Sequence, residues 1–195
     1  MRTVALLSIL LSTGAAAAHA GETPAAPPAA AAAAKSVPAA TAAPAAAAQP
    51  AAAAYDKFKG LVGEWIDVDG TFGEKGQLAA SYRLTGSGTT VVETIFFGKP
   101  HEMMTMYSRD GSDLVLTHYC AGGNQPRMRA KSVEGEIVRF EFDGGTSFDP
   151  AKDSHMHSSW IEFVSPDEIR GEWQAWAGGK PSDHSVKFHL KRRPA

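Results

Sequence analysis

The sequence predicts an all-β fold: an up-and-down antiparallel β-barrel of about ten strands, entered through a short N-terminal helical turn. Three observations lead there. From Gly63 onward, apolar residues alternate with period two in short runs. Turn residues separate these runs, at Gly86-Ser87-Gly88, Asp110-Gly111, Glu134-Gly135, Pro166-Asp167 and Gly178-Gly179. They supply the positive or fixed φ that tight reversals need. No stretch of ten or more residues there carries helical periodicity. Sequential hairpins make a meander, and closing the meander into a barrel removes both exposed edges.

Taken in order, the chain of 195 residues opens with Met1-Arg2, an apolar run from Val4 to Leu11, and Ala18-His19-Ala20. A short positive segment, an apolar core and a small-x-small end form the pattern of a secretory signal peptide, here residues 1–20, cut near Ala20. The run is too short to span a bilayer of about 30 Å, and no stop-transfer segment follows. A periplasmic or secreted location is therefore expected, with no membrane span after cleavage. Residues 21–54 are roughly three-fifths Ala and are interrupted by Pro24, Pro27, Pro28, Pro38, Pro44 and Pro50. They hold too little large apolar surface to offset chain entropy. Proline at this density also breaks helices, at about 3 kcal/mol each, so a disordered, semi-extended spacer is expected. Residues 55–195, about 140 in number, are the usual size of one domain with its own core.

Within that domain, Tyr55, Phe58 and Leu61 lie three residues apart, as one or two helical turns capping a barrel end would require. Strands are expected at 64–68, 77–84, 90–97, 102–108, 113–120, 126–133, 137–143, 155–164, 168–176 and 185–191. The formal net charge is -2, with both signs interspersed, which gives no electrostatic case for nucleic acid. The lone cysteine, Cys120, excludes an intramolecular disulfide. No Gly-rich phosphate loop, His-Glu-x-x-His helix or other nucleophile motif is present, and no cofactor is specified.

The segment Phe58-Lys59-Gly60-Leu61-Val62-Gly63-Glu64-Trp65 resembles the helical turn and Gly-x-Trp that open the first strand in the calycins, the superfamily of lipocalins, fatty-acid-binding proteins and nitrobindin. Ten strands match the latter two subgroups best. The stretches His101 to Met104, Leu116 to Cys120 and Gly123 to Met128 resemble secreted proteins of lipocalin-like type. The resemblance covers most of residues 58–193 and implies a barrel around a small-molecule cavity.

The Asp110-Gly111 turn sets a candidate register. A loop centred there would place Met103 opposite His118, His101 opposite Cys120, Thr105 opposite Leu116 and Tyr107 opposite Leu114. His101, Met103, His118 and Cys120 would then share one face, with opposed Cβ atoms about 4.5 to 5.5 Å apart, close enough to hold a soft metal ion. Arg127, Arg129 and Lys131 alternate with Met128, Ala130 and Ser132, which turns the basic set to solvent. A three-residue loop around Gly135 would pair Met128 with Phe142, Ala130 with Phe140, Ser132 with Val138 and Arg129 with Glu141. Which face of the His118 strand looks inward stays open at this level. Glu93, on a face with Val91, Ile95 and Phe97, is either a rim residue or a buried carboxylate with a partner such as Arg83. His155 and His157 fall on one face of a later strand. Asn124 and Gln125 sit in a loop that would offer amides to a ligand at the barrel mouth. Trp160, Trp173 and Trp176 read first as packing residues.

The leading expectation is a secreted barrel holding a small, largely apolar molecule. Its binding residues would come from His101, Met103, Tyr107, His118, Cys120, Asn124, Gln125, Arg127, His157 and Trp173. The second reading binds a metal or haem through His101, His118 and Cys120. The third, an enzyme, pairs Cys120 with a histidine and requires an activated thiol; it is the less favoured. A fourth is an interaction module whose barrel is filled.

Overall fold

The computed structural model describes residues 48–194, so the expected signal peptide and residues 21–47 of the expected spacer lie outside the described residues. A helix, α1 (Ala48–Lys59), leads into ten strands. These are β1 (Gly63–Asp67), β2 (Leu78–Thr85), β3 (Thr90–Ile95), β4 (Met103–Asp110), β5 (Asp113–Tyr119), β6 (Gln125–Glu134), β7 (Ile137–Thr146), β8 (His155–Ser165), β9 (Glu168–Ala177) and β10 (Lys180–Arg192). Each strand pairs antiparallel with the next, and β10 returns to β1, closing the barrel. The period-two runs thus become an up-and-down meander without a free edge, consistent with the calycin-like architecture that Gly-x-Trp implied.

Two boundaries differ from expectation by more than three residues. α1 begins at Ala48 rather than near Tyr55, so it takes in residues read as spacer. Pro50 falls in its first turn, where the missing N–H has no helical partner to lose, and the alanines that follow are the best helix formers. β10 begins at Lys180 rather than Ser185. Its register against β9 slips between Pro181 and Ser185, which removes the clean alternation that would have revealed it.

α1 works as a plug. Ala54, Tyr55, Phe58 and Leu61 are buried on one face of the helix and the turn after it. The Phe58 ring stacks on Tyr107 at 4.3 Å and meets Phe163 and Phe140 edge-on at 5.2 and 5.9 Å. Around it, Leu114, Leu116, Met128, Phe140, Ile161, Ile169 and Leu190 are fully buried and fill this half of the interior. Trp65 locks the helix to β1. It is wholly buried, its Nε1 donates to the Leu61 carbonyl at 2.8 Å, and the Arg192 guanidinium lies 4.6 Å above its ring. The same guanidinium donates to the carbonyls of Gly60, Val62 and Pro166, so one side chain satisfies three backbone acceptors at the helix exit.

The β6–β7 hairpin has the expected pairs Met128 with Phe142, Ala130 with Phe140 and Arg129 with Glu141. A bulge after Ala130 then changes the last pair: Val133, not Ser132, faces Val138. Gly171 on β9 stands beside Phe188 of β10, and any Cβ there would run into the Phe188 ring and the Trp160 carbonyl.

Replacing Trp65 by Ala is expected to lower unfolding free energy by about 3–5 kcal/mol, and Gly171 by Ala by about 1–3 kcal/mol. Urea denaturation measures both; a Trp65→Ala loss below about 1 kcal/mol would contradict the plug.

Candidate functional site

The plug fills one end, and the strands diverge again at the other. There the β1–β2 loop, the end of β3, the start of β4, the end of β5 and parts of β8, β9 and β10 line a half-open cavity of about 220 Å³. Its walls are Thr71, Phe72, Ile95, Phe96, Met103, His118, Met156, Trp173, His184 and Val186. Most of this lining is aromatic, aliphatic or thioether. A larger hollow of about 420 Å³ lies beside α1, at Lys57, Leu61 and Phe163, but its polar groups are surface residues such as the ion-paired Lys57 and Glu136.

Two local devices shape the cavity rim. Asp67, at the end of β1, is buried, and its carboxylate accepts the backbone N–H groups of Asp69, Gly70 and Phe72 at 3.1, 2.8 and 2.6 Å. This clamp folds the β1–β2 loop back so that Phe72 packs edge-on against Phe96, at 5.7 Å, and against Phe188. Phe96 itself has φ of +57°, a conformation that costs a bulky side chain of order 1–3 kcal/mol and is held where it lines the cavity.

Beneath the cavity runs a column of buried polar groups. His118 is 4% exposed, its ring packs 5.1 Å from Trp173, and its Nδ1 lies 3.0 Å from the Thr105 hydroxyl. Thr105 stands directly opposite Glu93 across β3 and β4. The Glu93 carboxylate accepts the Tyr82 hydroxyl at 2.5 Å and the Tyr107 hydroxyl at 3.2 Å. Burial raises the Glu93 pKa, opposed by the two tyrosine donors. Burial next to that carboxylate pushes both tyrosines well above their ordinary range, so they stay protonated and donate. Burial lowers His118 to about 4, so its imidazole is neutral at physiological pH. The column touches the plug through Tyr107 and the cavity through His118.

A second cluster lies where β7, β8 and β9 meet the loop before β8. His157 stacks on Trp176 at 3.7 Å and on Phe142 at 4.8 Å, and Phe148 packs against Phe142 and His155. His155 Nδ1 lies 3.0 Å from the Asp153 carbonyl and its Nε2 lies 2.9 Å from His157 Nδ1. A carbonyl only accepts, so His155 Nδ1–H donates to Asp153. Burial, then the neighbouring His155, lowers His157 to about 4. The rings of this cluster pack against one another.

Of the residues expected to bind, the structure brings Met103, His118 and Trp173 together on the cavity. The others go elsewhere. Tyr107 is buried below, between Phe58 and Glu93. His157 belongs to the second cluster. Asn124 is buried, and its amide donates to the Ser154 carbonyl, tying two loops. Gln125 bridges Gly123 and Thr146. Arg127 faces outward and pairs with Asp110 and Asp143. Glu93 is buried as one expectation had it, but with tyrosine partners rather than Arg83, which is exposed on the opposite strand face.

The proposed ligand trio of His101, His118 and Cys120 does not form. The β4–β5 turn is centred on Gly111-Ser112, with Asp110 paired to Asp113, one position later than expected. This sets Thr105, not Met103, opposite His118 and Leu116 opposite Tyr107; the slip is two residues in pairing, so the inward faces are unchanged. β4 starts only at Met103 and β5 ends at Tyr119, so His101 and Cys120 lie outside the paired ladder. His101 is exposed against Phe96, and Cys120 sits in a turn closed by the Gly123 N–H on its carbonyl. Among the described residues, no group of three or more His, Cys, Asp or Glu side chains is placed to hold a metal ion.

Sequence reading missed Thr71, Phe72, Ile95, Phe96, Met156, His184 and Val186 as cavity residues. Phe72, a lone aromatic in a Gly-rich polar loop, carried the one usable signal. The remainder needed the barrel's closure to be known.

His118 gives a pH dependence. Its folded pKa, about 4, lies below the ordinary 6.5, so the unfolded chain binds the proton first. Its contribution is complete above about pH 6.5 and is lost as pH falls toward 4, by about 3 kcal/mol in all. Urea unfolding of wild type and His118→Gln at pH 7.5 and 4.5 should show a smaller loss in the variant; parallel losses would contradict this. Comparison of the sequence with family models and with curated proteins finds no match, so the chemistry is argued from this chain's own residues.

Proposed function

We propose that this protein is a calycin-type binding protein that takes a small, largely apolar molecule into the cavity at the open end of its barrel. The observation that carries this reading is a cavity of about 220 Å³ with apolar walls and a single buried polar residue, His118, on its lining. Binding sites have this composition, an apolar enclosure with few polar groups that fix orientation.

The volume sets the size of the group that the cavity buries. An apolar cavity of about 150 Å³ in a known engineered protein holds benzene, so 220 Å³ suits one ring with a short substituent. A long acyl chain would need the interior that Phe58, Tyr107 and Phe140 already fill. The leader-like residues 1–20 and the Ala/Pro-rich segment after them fit a role outside the cytoplasmic membrane.

Toluene titrated into protein carrying labelled methionine methyls should shift Met103 and Met156 saturably. Val186→Phe, which narrows the cavity, should weaken binding at least tenfold while leaving the fold intact by circular dichroism. Absence of any saturable shift at these two methyls would remove the proposal.

A further inference from the structure

The buried ionisable groups of the barrel are unbalanced toward acid. Among the described residues they are Asp67, Glu93, His118 and His155, with no buried lysine or arginine. Asp67 accepts three backbone N–H groups and Glu93 two tyrosine hydroxyls, so both carboxylates are held by neutral donors. Both also border the cavity. Phe72, which takes one of the Asp67 bonds, and Ile95, two residues from Glu93 on the same face of β3, stand on its wall. No lysine or arginine lines it. Of its two imidazoles, burial keeps His118 neutral, and His184 is exposed at the rim. Glu74, Lys99 and His101 line the outer hollow beyond Phe72 and Phe96, exposed to water and salt that screen them.

The walls themselves are aromatic. The Phe72 and Phe96 rings meet at 83°, and Trp173 stands on the same cavity with the His118 ring 5.1 Å away. The face of an aromatic ring is the negative pole of its quadrupole and attracts a cation within about 6 Å of the centroid, Trp most strongly. Strong acceptors for a ligand N–H come from Thr71, His118 and His184. A primary ammonium brings three N–H donors into this apolar space, whereas a fully methylated one brings none and buries methyl groups.

On this basis, and resting on the binding reading above, we propose that the cavity takes small methylated ammonium compounds, with the N-methyl head held among Phe72, Phe96 and Trp173. The methyls match the apolar wall, the ring faces meet the charge, and the buried carboxylates behind them add a field of the favourable sign. A protonated His184 would oppose the same cation, so the preference belongs to the neutral imidazole.

The test titrates three compounds against the labelled Met103 and Met156 methyls at matched ionic strength and pH 8, which favours the anion of Glu93 and a neutral exposed imidazole. They are choline, 3,3-dimethylbutan-1-ol, in which carbon replaces the charged nitrogen, and ethanolamine, in which hydrogens replace the methyls. Wild type should bind choline about tenfold tighter than the alcohol, and ethanolamine more weakly than choline. In Phe72→Leu, which keeps an apolar side chain and removes one ring, the ratio of choline to alcohol affinity should fall several-fold. Equal affinity for choline and the alcohol in wild type, ethanolamine binding as tightly as choline, or an unchanged ratio in a folded Phe72→Leu would each overturn the cation inference. Saturable toluene shifts at the same two methyls would then leave the cavity reading standing. Silence toward toluene and all three compounds would overturn the two together. The wild-type comparison needs no variant, so it decides even where Phe72→Leu fails to fold.

Discussion

The structure depends on how the barrel interior is divided. A closed meander of ten strands encloses more space than its own inward side chains near one end can fill, and α1 supplies the missing volume with Phe58. Burying an aromatic side chain on this scale contributes roughly 2–3 kcal/mol, and the insertion is held by Trp65 and by the Arg192 bonds that cap the helix exit. With that half packed, the apolar cavity lies at the far end, where the β1–β2 loop folds inward. The plug therefore sets both the stability of the fold and the size of what it can bind.

Between plug and cavity stand Tyr82, Glu93, Tyr107, Thr105 and His118. A buried carboxylate is costly unless it is hydrogen-bonded, and here Tyr82 and Tyr107 each supply a bond. Such a network tolerates few rearrangements, so it transmits order from the packed half to the open half. His118 carries this network to the cavity wall.

The fold was legible because half-buried strands impose period two and hairpins impose glycines. The β6–β7 register could be read because Arg127 and Arg129 alternate with Met128, and only one face of that strand can be dry. The β4–β5 hairpin shows the limit. Asp110-Gly111 and Gly111-Ser112 are both acceptable turns, and choosing the later one moves every pair by two residues while preserving the inward face. Met103 and His118 consequently meet in one cavity although they are not paired, whereas His101 and Cys120 drop off the strand ends. Phe72, His184 and Val186 reach the cavity through a loop clamp and a bulged strand, and neither leaves a periodic mark in the sequence. Glu93's tyrosine partners come from the two flanking strands, β2 and β4.

The most direct test of this division of the interior is a crystal structure of the protein under xenon pressure, since xenon enters dry apolar cavities without needing a chosen ligand. The account predicts xenon density between Phe96, Met103, Trp173 and His118, with none among Phe58, Tyr107 and Phe140. Density in the Phe58 half, or an empty and water-filled space beside His118, would contradict it.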